Sequence, residues 1–111
     1  MTVSVKVLVP AKTVENSQTT QYTANGVTTI VDKFTATNYS ATAATVSVNL
    51  VTVSGSAGND NLITKTKTLQ PAEVYTFPEL VGQVLNPGGF ISTIAGTASA
   101  INMRVSGREV T

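Results

Sequence analysis

The side chains able to do chemistry are few, and their spacing keeps them apart. Glu73 and Glu79 flank one short predicted strand, and Asp32 stands beside Lys33. A general acid–base pair needs two carboxylates converging on one bond, with surroundings that drive their pKa values apart. Nothing in this spacing supplies that, so these carboxylates read as solvated surface charges. The chain has no histidine, hence no base that titrates unperturbed near neutral pH and no imidazole metal ligand. It has no cysteine either, which removes disulfides, thiolate nucleophiles and thiolate metal sites. Gly88-Gly89 opens a strand instead of a helix and lacks a following Lys-Ser/Thr, so it is not a phosphate loop. Asn59-Asp60-Asn61 offers oxygen-bearing side chains but only one carboxylate, too few for a calcium loop. The expectation is a protein that is not an enzyme and that takes no cofactor and no metal.

Three further side chains are candidates for binding. Arg104 and Arg108 both fall near the C-terminal strand, and arginine is enriched at protein interfaces. Taken singly, each reads as a solvent-facing cation, with Glu109 as the partner at hand. Among the polar aromatics Tyr22, Tyr39 and Tyr75, Tyr39 at a turn tip is the best placed to stack on a sugar ring.

Composition narrows the partners. Seven Lys plus Arg against six Asp plus Glu leave a net charge of +1, with no run of either sign. A nucleic-acid binder of this size would cluster its cations and interleave aromatics, and three Tyr and three Phe are all the aromatics present. Charged residues are 12% of the chain, about half the usual share, while Ser and Thr supply about a quarter of it. A hydroxyl-rich surface with so few charges has little protection against edge-to-edge strand pairing, so its edges are covered or association is its purpose. No apolar run reaches the length of a membrane span, and the N-terminus lacks a signal-peptide layout. Neither nucleic acid nor membrane is expected as a partner, and Asn38-Tyr39-Ser40 reads as a turn and not as a glycosylation site.

The elements that must position these residues are strands. Thr28 to Thr37 puts Ile30, Phe34 and Ala36 on one side and Thr29, Thr35 and Thr37 on the other, and Thr45 to Leu50 repeats the alternation with Val46, Val48 and Leu50 inward. With the polar loop Asn38 to Thr42 between them, the two read as an antiparallel hairpin. Asn25-Gly26 is a hairpin-turn signal between a strand near Thr20 to Ala24 and Thr28. Ser54 to Asn61 reads as a flexible loop, and Leu62 to Leu69 as an edge strand defended by Lys65 and Lys67. Leu80, Val81, Val84 and Leu85 recur at helical spacing after Pro78, which predicts one short helical turn near 78–85. Phe90 to Ala95 and Ala100 to Val105 are strands, the latter extended to Thr111 past a bulge at Gly107. Roughly seven to nine strands with frequent turns predict an all-β single domain over residues 1–111. That domain is a two-sheet antiparallel β-sandwich, either immunoglobulin-like or jelly-roll in strand order.

Several of these pieces, in this order, resemble small β-sandwich structural proteins of tailed bacteriophages and prophages. The residues are Tyr22-Thr23-Ala24, Ile30 to Asn38, Ala44 to Leu50, Lys67 to Tyr75, Val84 to Gly89 and Arg104 to Val110. The resemblance implies a virion component present in many copies, assembled in the host cytoplasm. It would be a capsid decoration or cement protein, bound to the major capsid protein or other virion proteins as a homotrimer. A neck, collar or tail-surface position is the alternative, and a carbohydrate-binding module of a host-recognition device is the alternative of another class.

Val3, Val5, Val7 and Val9 alternate at the start of the chain and stop at Pro10. A bare edge of that kind templates further pairing, so it must be covered. It closes its own sandwich, or residues 1–19 form an arm that adds to a neighbouring subunit. The slack in Pro10 to Thr19 favours the arm. Val3, Val5, Val7, Val9, Arg104 and Arg108 are therefore the expected assembly residues.

Overall fold

Almost all regular structure in the computed structural model, which describes residues 1–111, is strand. The strands are β1 (Val3–Thr13), β2 (Thr19–Thr23), β3 (Thr28–Asn38), β4 (Ala44–Val51), β5 (Leu62–Leu69), β6 (Val74–Tyr75), β7 (Val84–Leu85), β8 (Phe90–Ala95) and β9 (Ile101–Val110). One sheet runs β1-β9-β3-β6 with β7 also on β3, and the other runs β2-β8-β4-β5. Every pairing is antiparallel.

With β6 and β7 counted as the two ends of one interrupted strand, the chain pairs from its ends inward. First lies beside last, second beside second-last, and β4 beside β5. That is a long hairpin rolled into two sheets, the jelly-roll order, and not the immunoglobulin order, in which the first strand does not pair with the last. The two-sheet antiparallel sandwich read from the sequence is the observed fold, and the strand order selects the jelly roll.

Rolling the chain in this way separates strands that the sequence reads as hairpins. β3 lies in the first sheet and β4 in the second, so Asn38 to Thr42 is a corner between sheets. Alternation shows that one face of each strand is buried, but not which sheet the strand joins. Asn38, wholly buried, makes the corner. Its amide donates to the carbonyls of Thr42 and Leu69, both at 2.9 Å, and its side-chain oxygen accepts from the Ser40 N–H and hydroxyl. The Asn25-Gly26 turn, with Gly26 at φ 73°, likewise carries β2 across to β3.

A register shift between Val31 and Lys33 inserts Asp32 as an extra residue in β3. Thr29 and Val31 consequently point into the core together with Phe34 and Ala36, and Ile30 faces out. The inward and outward assignments made from Thr28 to Val31 are thus reversed. The bulge expected at Gly107 lies in β3 instead, because β9 pairs without a break from Ile101 to Val110. Residues 78–82 form turns and not a helix; the one helical piece is the 3-10 turn Asn59–Asn61. The helical spacing there comes from a loop that sends Leu80 and Leu85 inward and Val81 and Val84 outward. Main-chain bonds from Gly82 N–H to the Val31 carbonyl and from Val31 N–H to the Gln83 carbonyl hold that loop on β3. Between the sheets Phe77 packs on Phe34 and Tyr75, with ring centres 4.5 and 4.6 Å apart.

Candidate assembly surface

β1 lies along β9 from Val3 opposite Val110 to Thr13 opposite Asn102, so the N-terminal segment is an edge strand of its own sandwich and not a free arm. It also continues through Pro10, which sits where the register slips between Val9 and Lys12 and no ladder bond is needed from it. The register shift between Val7 and Val9 divides the valines. Val3, Val5 and Val7 point outward at 51, 83 and 46% exposure, while Leu8 and Val9 are buried. Val9 therefore belongs to the core and leaves the set of assembly residues.

Strand register places the outward residues in rows. Val5, Arg108, Ile30 and Val84 stand side by side across β1, β9, β3 and β7. Val3, Val110 and Thr28 form the row on one side, and Val7, Ser106 and Lys33 the row on the other. Arg108 in the middle clamps Asp32: its Nε lies 2.9 and 3.2 Å from the two carboxylate oxygens and its Nη2 2.9 Å from one of them. The hydrogen bonds to Asp32, then its charge, raise the Arg108 pKa further. A guanidinium paired in this way is planar and weakly hydrated, and so fits an apolar surround better than an ammonium would.

The expected Arg108–Glu109 pair does not form, because neighbours on a strand point to opposite faces. Glu109 points inward, where it accepts from Lys6 at 2.8 Å and from the Tyr22 hydroxyl. Arg104 is on the same outward face as Arg108, exposed and without an ion pair, opposite Thr35. Val3, Val5, Val7, Arg104 and Arg108 thus share one face, joined by Ile30 and Val84.

The remaining carboxylates serve the structure. Glu73 accepts from the Gln70 N–H at 2.7 Å and closes a turn. Glu79 accepts from Thr64 and Tyr75, which ties β5 of one sheet to β6 of the other. Partial burial pushes the Glu79 pKa up, but the hydrogen bonds from Thr64 and Tyr75 outweigh it and hold the carboxyl below its ordinary range. Glu109 is also lowered, chiefly by the Lys6 hydrogen bond and then by that from Tyr22. The phenols answer in the opposite sense. Burial, then the bond to Glu109, pushes Tyr22 up to about 12, and the bond to Glu79, then burial, pushes Tyr75 up to about 12. Every buried side-chain nitrogen and oxygen has a hydrogen-bond partner, so no polar group is aimed unpaired into a cleft.

Tyr39 is half exposed at its corner, and its hydroxyl lies 3.1 Å from that of Thr13. It is the only aromatic ring among the exposed large apolar side chains. Two shallow depressions complete the surface. An apolar one of about 190 Å³ lies between Leu50 to Val53 and Val84 to Gly89, beside the valine face. A polar one of about 210 Å³ lies over the second sheet, among Gln18, Ser47, Asn49, Lys65 and Thr66.

Reasoning from sequence missed Ile30, Asp32 and Val84 as members of the outer face. A period of two carries no mark of the Asp32 bulge that turns Ile30 outward. The spacing of 80, 81, 84 and 85 carries none of the loop that exposes Val84. No family model matches this chain, and no curated protein or solved structure matches it.

Proposed function

We propose that this chain is a non-catalytic virion assembly protein, a decoration or cement protein of a tailed-phage head, that docks through the outer face of its first sheet. The observation that carries the reading is the continuous face of Val3, Val5, Val7, Ile30 and Val84 around the Arg108–Asp32 pair, with Arg104 unpaired beside it. An isolated protein keeps valine out of such a row, because each exposed side chain forgoes burial. The apolar floor supplies area, and the arginines supply planar donors for carboxylates or carbonyls of the shell. The partners are the major capsid protein or other virion proteins, with further copies of the same chain. A sugar-binding role has one exposed aromatic, Tyr39, to stand on, and that ring is already tethered to Thr13.

Co-sedimentation of the purified protein with shells of the phage or prophage that carries its gene tests the reading. Wild-type protein is expected to pellet with the shells in hundreds of copies, and an Ile30→Lys/Val84→Lys variant, its melting temperature unchanged, is expected to stay in the supernatant. Undiminished binding by that variant would overturn the docking face. A dozen or fewer copies, located at the neck or tail by electron microscopy, would replace the head assignment with the neck or tail-surface one.

A further inference from the structure

Of the four sheet edges, three are blunted. β6 is two residues long. β2 has five residues and a register shift between Thr20 and Tyr22. β5 carries Lys65 and Lys67 around Thr66, whose φ of 43° breaks the extended run. β1 differs, being eleven residues long, and its segment from Val3 to Val7 pairs with β9 without interruption.

The main-chain groups on that segment's free side can be assigned. Thr2 and Thr111 exchange both hydrogen bonds, at 3.2 and 2.9 Å. In an antiparallel pair, bonded and non-bonded positions alternate. Ser4 opposite Glu109 and Lys6 opposite Gly107 are therefore the next bonded positions, and the N–H and C=O groups of Val3, Val5 and Val7 point away from β9. The other side of β9 agrees: Val31, opposite Gly107, spends its main-chain groups on Gly82 and Gln83, which leaves those of Gly107 to β1.

We propose that this edge is self-complementary, and that two copies of the chain pair antiparallel through residues 3–7 about a twofold axis at Val5. Val5 then meets Val5 of the second copy and Val3 meets Val7, and each of these pairs exchanges two main-chain hydrogen bonds. Every N–H and C=O left free on the segment is used. On the outer face valine meets valine, and the row Val84, Ile30, Arg108, Val5 continues into its symmetry mate. On the inner face Lys6 meets Ser4 of the second copy, and its charge is already held by its own Glu109 at 2.8 Å, so no like charges stand opposite. The register has little freedom to slip. An axis at Val7 would bring in the shift before Val9 and the missing N–H of Pro10, an axis at Val3 would shorten the overlap, and even-numbered axes present groups already bonded to β9. This pairing deepens the proposed function by naming how copies associate, but it is tested on the isolated protein and stands or falls apart from shell binding.

Sedimentation equilibrium over micromolar to millimolar protein is expected to show a shift from 11.5 kDa to twice that mass. Hydrogen exchange at the Val3, Val5 and Val7 amides is expected to slow as dimer forms. Val5→Pro removes the central donor of the pairing without touching the ladder to β9, and Val5→Lys places like charges at the axis. Both are expected to stay monomeric, with a melting temperature that no longer depends on concentration. Ser4→Pro, which removes a donor used within the chain, is expected to melt well below them. A protein that is monomeric throughout, a trimer, or a dimer that survives both Val5 substitutions would overturn the proposal; should Val5→Pro fail to fold, Val5→Lys decides it.

Discussion

The outer faces of the two sheets are built from the same kind of alternating strand, yet one is closed by the chain itself and the other is open. On the second sheet the outward positions of β4 and β8 include Ser47, Asn49 and Ser92, all nearly buried. The loop from Ser54 to Asn61, expected to be flexible, folds against them through Gly58 and Asn61. Asn49 donates to the Gly58 carbonyl and the Asn61 side chain, Asn61 donates to the Ser56 carbonyl and accepts from the Gly58 N–H, and Gln18 donates to Ser92. The Ser47 hydroxyl accepts from the Thr66 N–H. On the first sheet the outward positions are valine, isoleucine and an arginine–aspartate pair, and no loop crosses them. A buried polar group needs a partner at a fixed distance and angle, so its cover must be specified within the chain. Valine asks only for area, which a second molecule can supply.

The largest way to break that contrast is at Asn49. Asn49→Ala strips the loop of two hydrogen bonds, so that the Gly58 carbonyl keeps only the Asn61 N–H and the Asn61 side-chain oxygen only the Gly58 N–H. A loss of about 2 kcal/mol is expected, or roughly 8 °C in melting temperature. Shell binding and self-association should be untouched, as read by calorimetry beside sedimentation. A fall in either would show that the closed face takes part in assembly.

The second test uses pH, because two carboxylate–tyrosine pairs tie the sheets together beneath both faces. Glu79 and Glu109 titrate below their ordinary range when folded. The stability they contribute is fully present above about pH 4.5 and is lost as pH falls through the lowered values. Tyr22 and Tyr75 are raised to about 12, so their contribution is present below about pH 10 and is lost as pH rises toward 12. Melting temperature against pH should form a plateau with an acid and an alkaline limb, and Tyr22→Phe should lower the plateau and flatten the alkaline limb. Phenol absorbance that shows Tyr22 and Tyr75 ionising at the ordinary value near pH 10 would contradict the assignment.

The smallest effect is expected on the open face. Asp32→Ala removes the partner of Arg108, but both side chains are some two-fifths exposed, at 40 and 43%. The change in stability should be small and shrink further with added salt. Binding to shells should change more than stability, since the freed guanidinium alters the charge of the docking surface. A loss on denaturant unfolding as large as that of Asn49→Ala would mean that the pair holds the sheet and not the surface.

The sequence by itself determined the fold class. Its period of two, β-branched residues and turn signals leave no other economical reading, and the segments around Val46, Phe90 and Ile101 are strands where expected. It also singled out the first valines and the C-terminal arginines, because unguarded apolar alternation and arginine stand out in a chain with so few charges. Only the tertiary structure decided which strands share a sheet, since burial of one face is the same signal whether the covering strand is a hydrogen-bonded neighbour or lies across the core. Only it decided parity after each bulge. One extra residue at Asp32 moves Ile30 to the surface and Thr29 inward, and the slip before Val9 sends that valine into the core while Val3, Val5 and Val7 stay outside. The meeting of Arg108 with Asp32, 76 residues apart, follows from that same bulge and from the pairing of β3 with the last strand, β9. Local residue preferences extend over a few positions, and neither contact has a cause within that range.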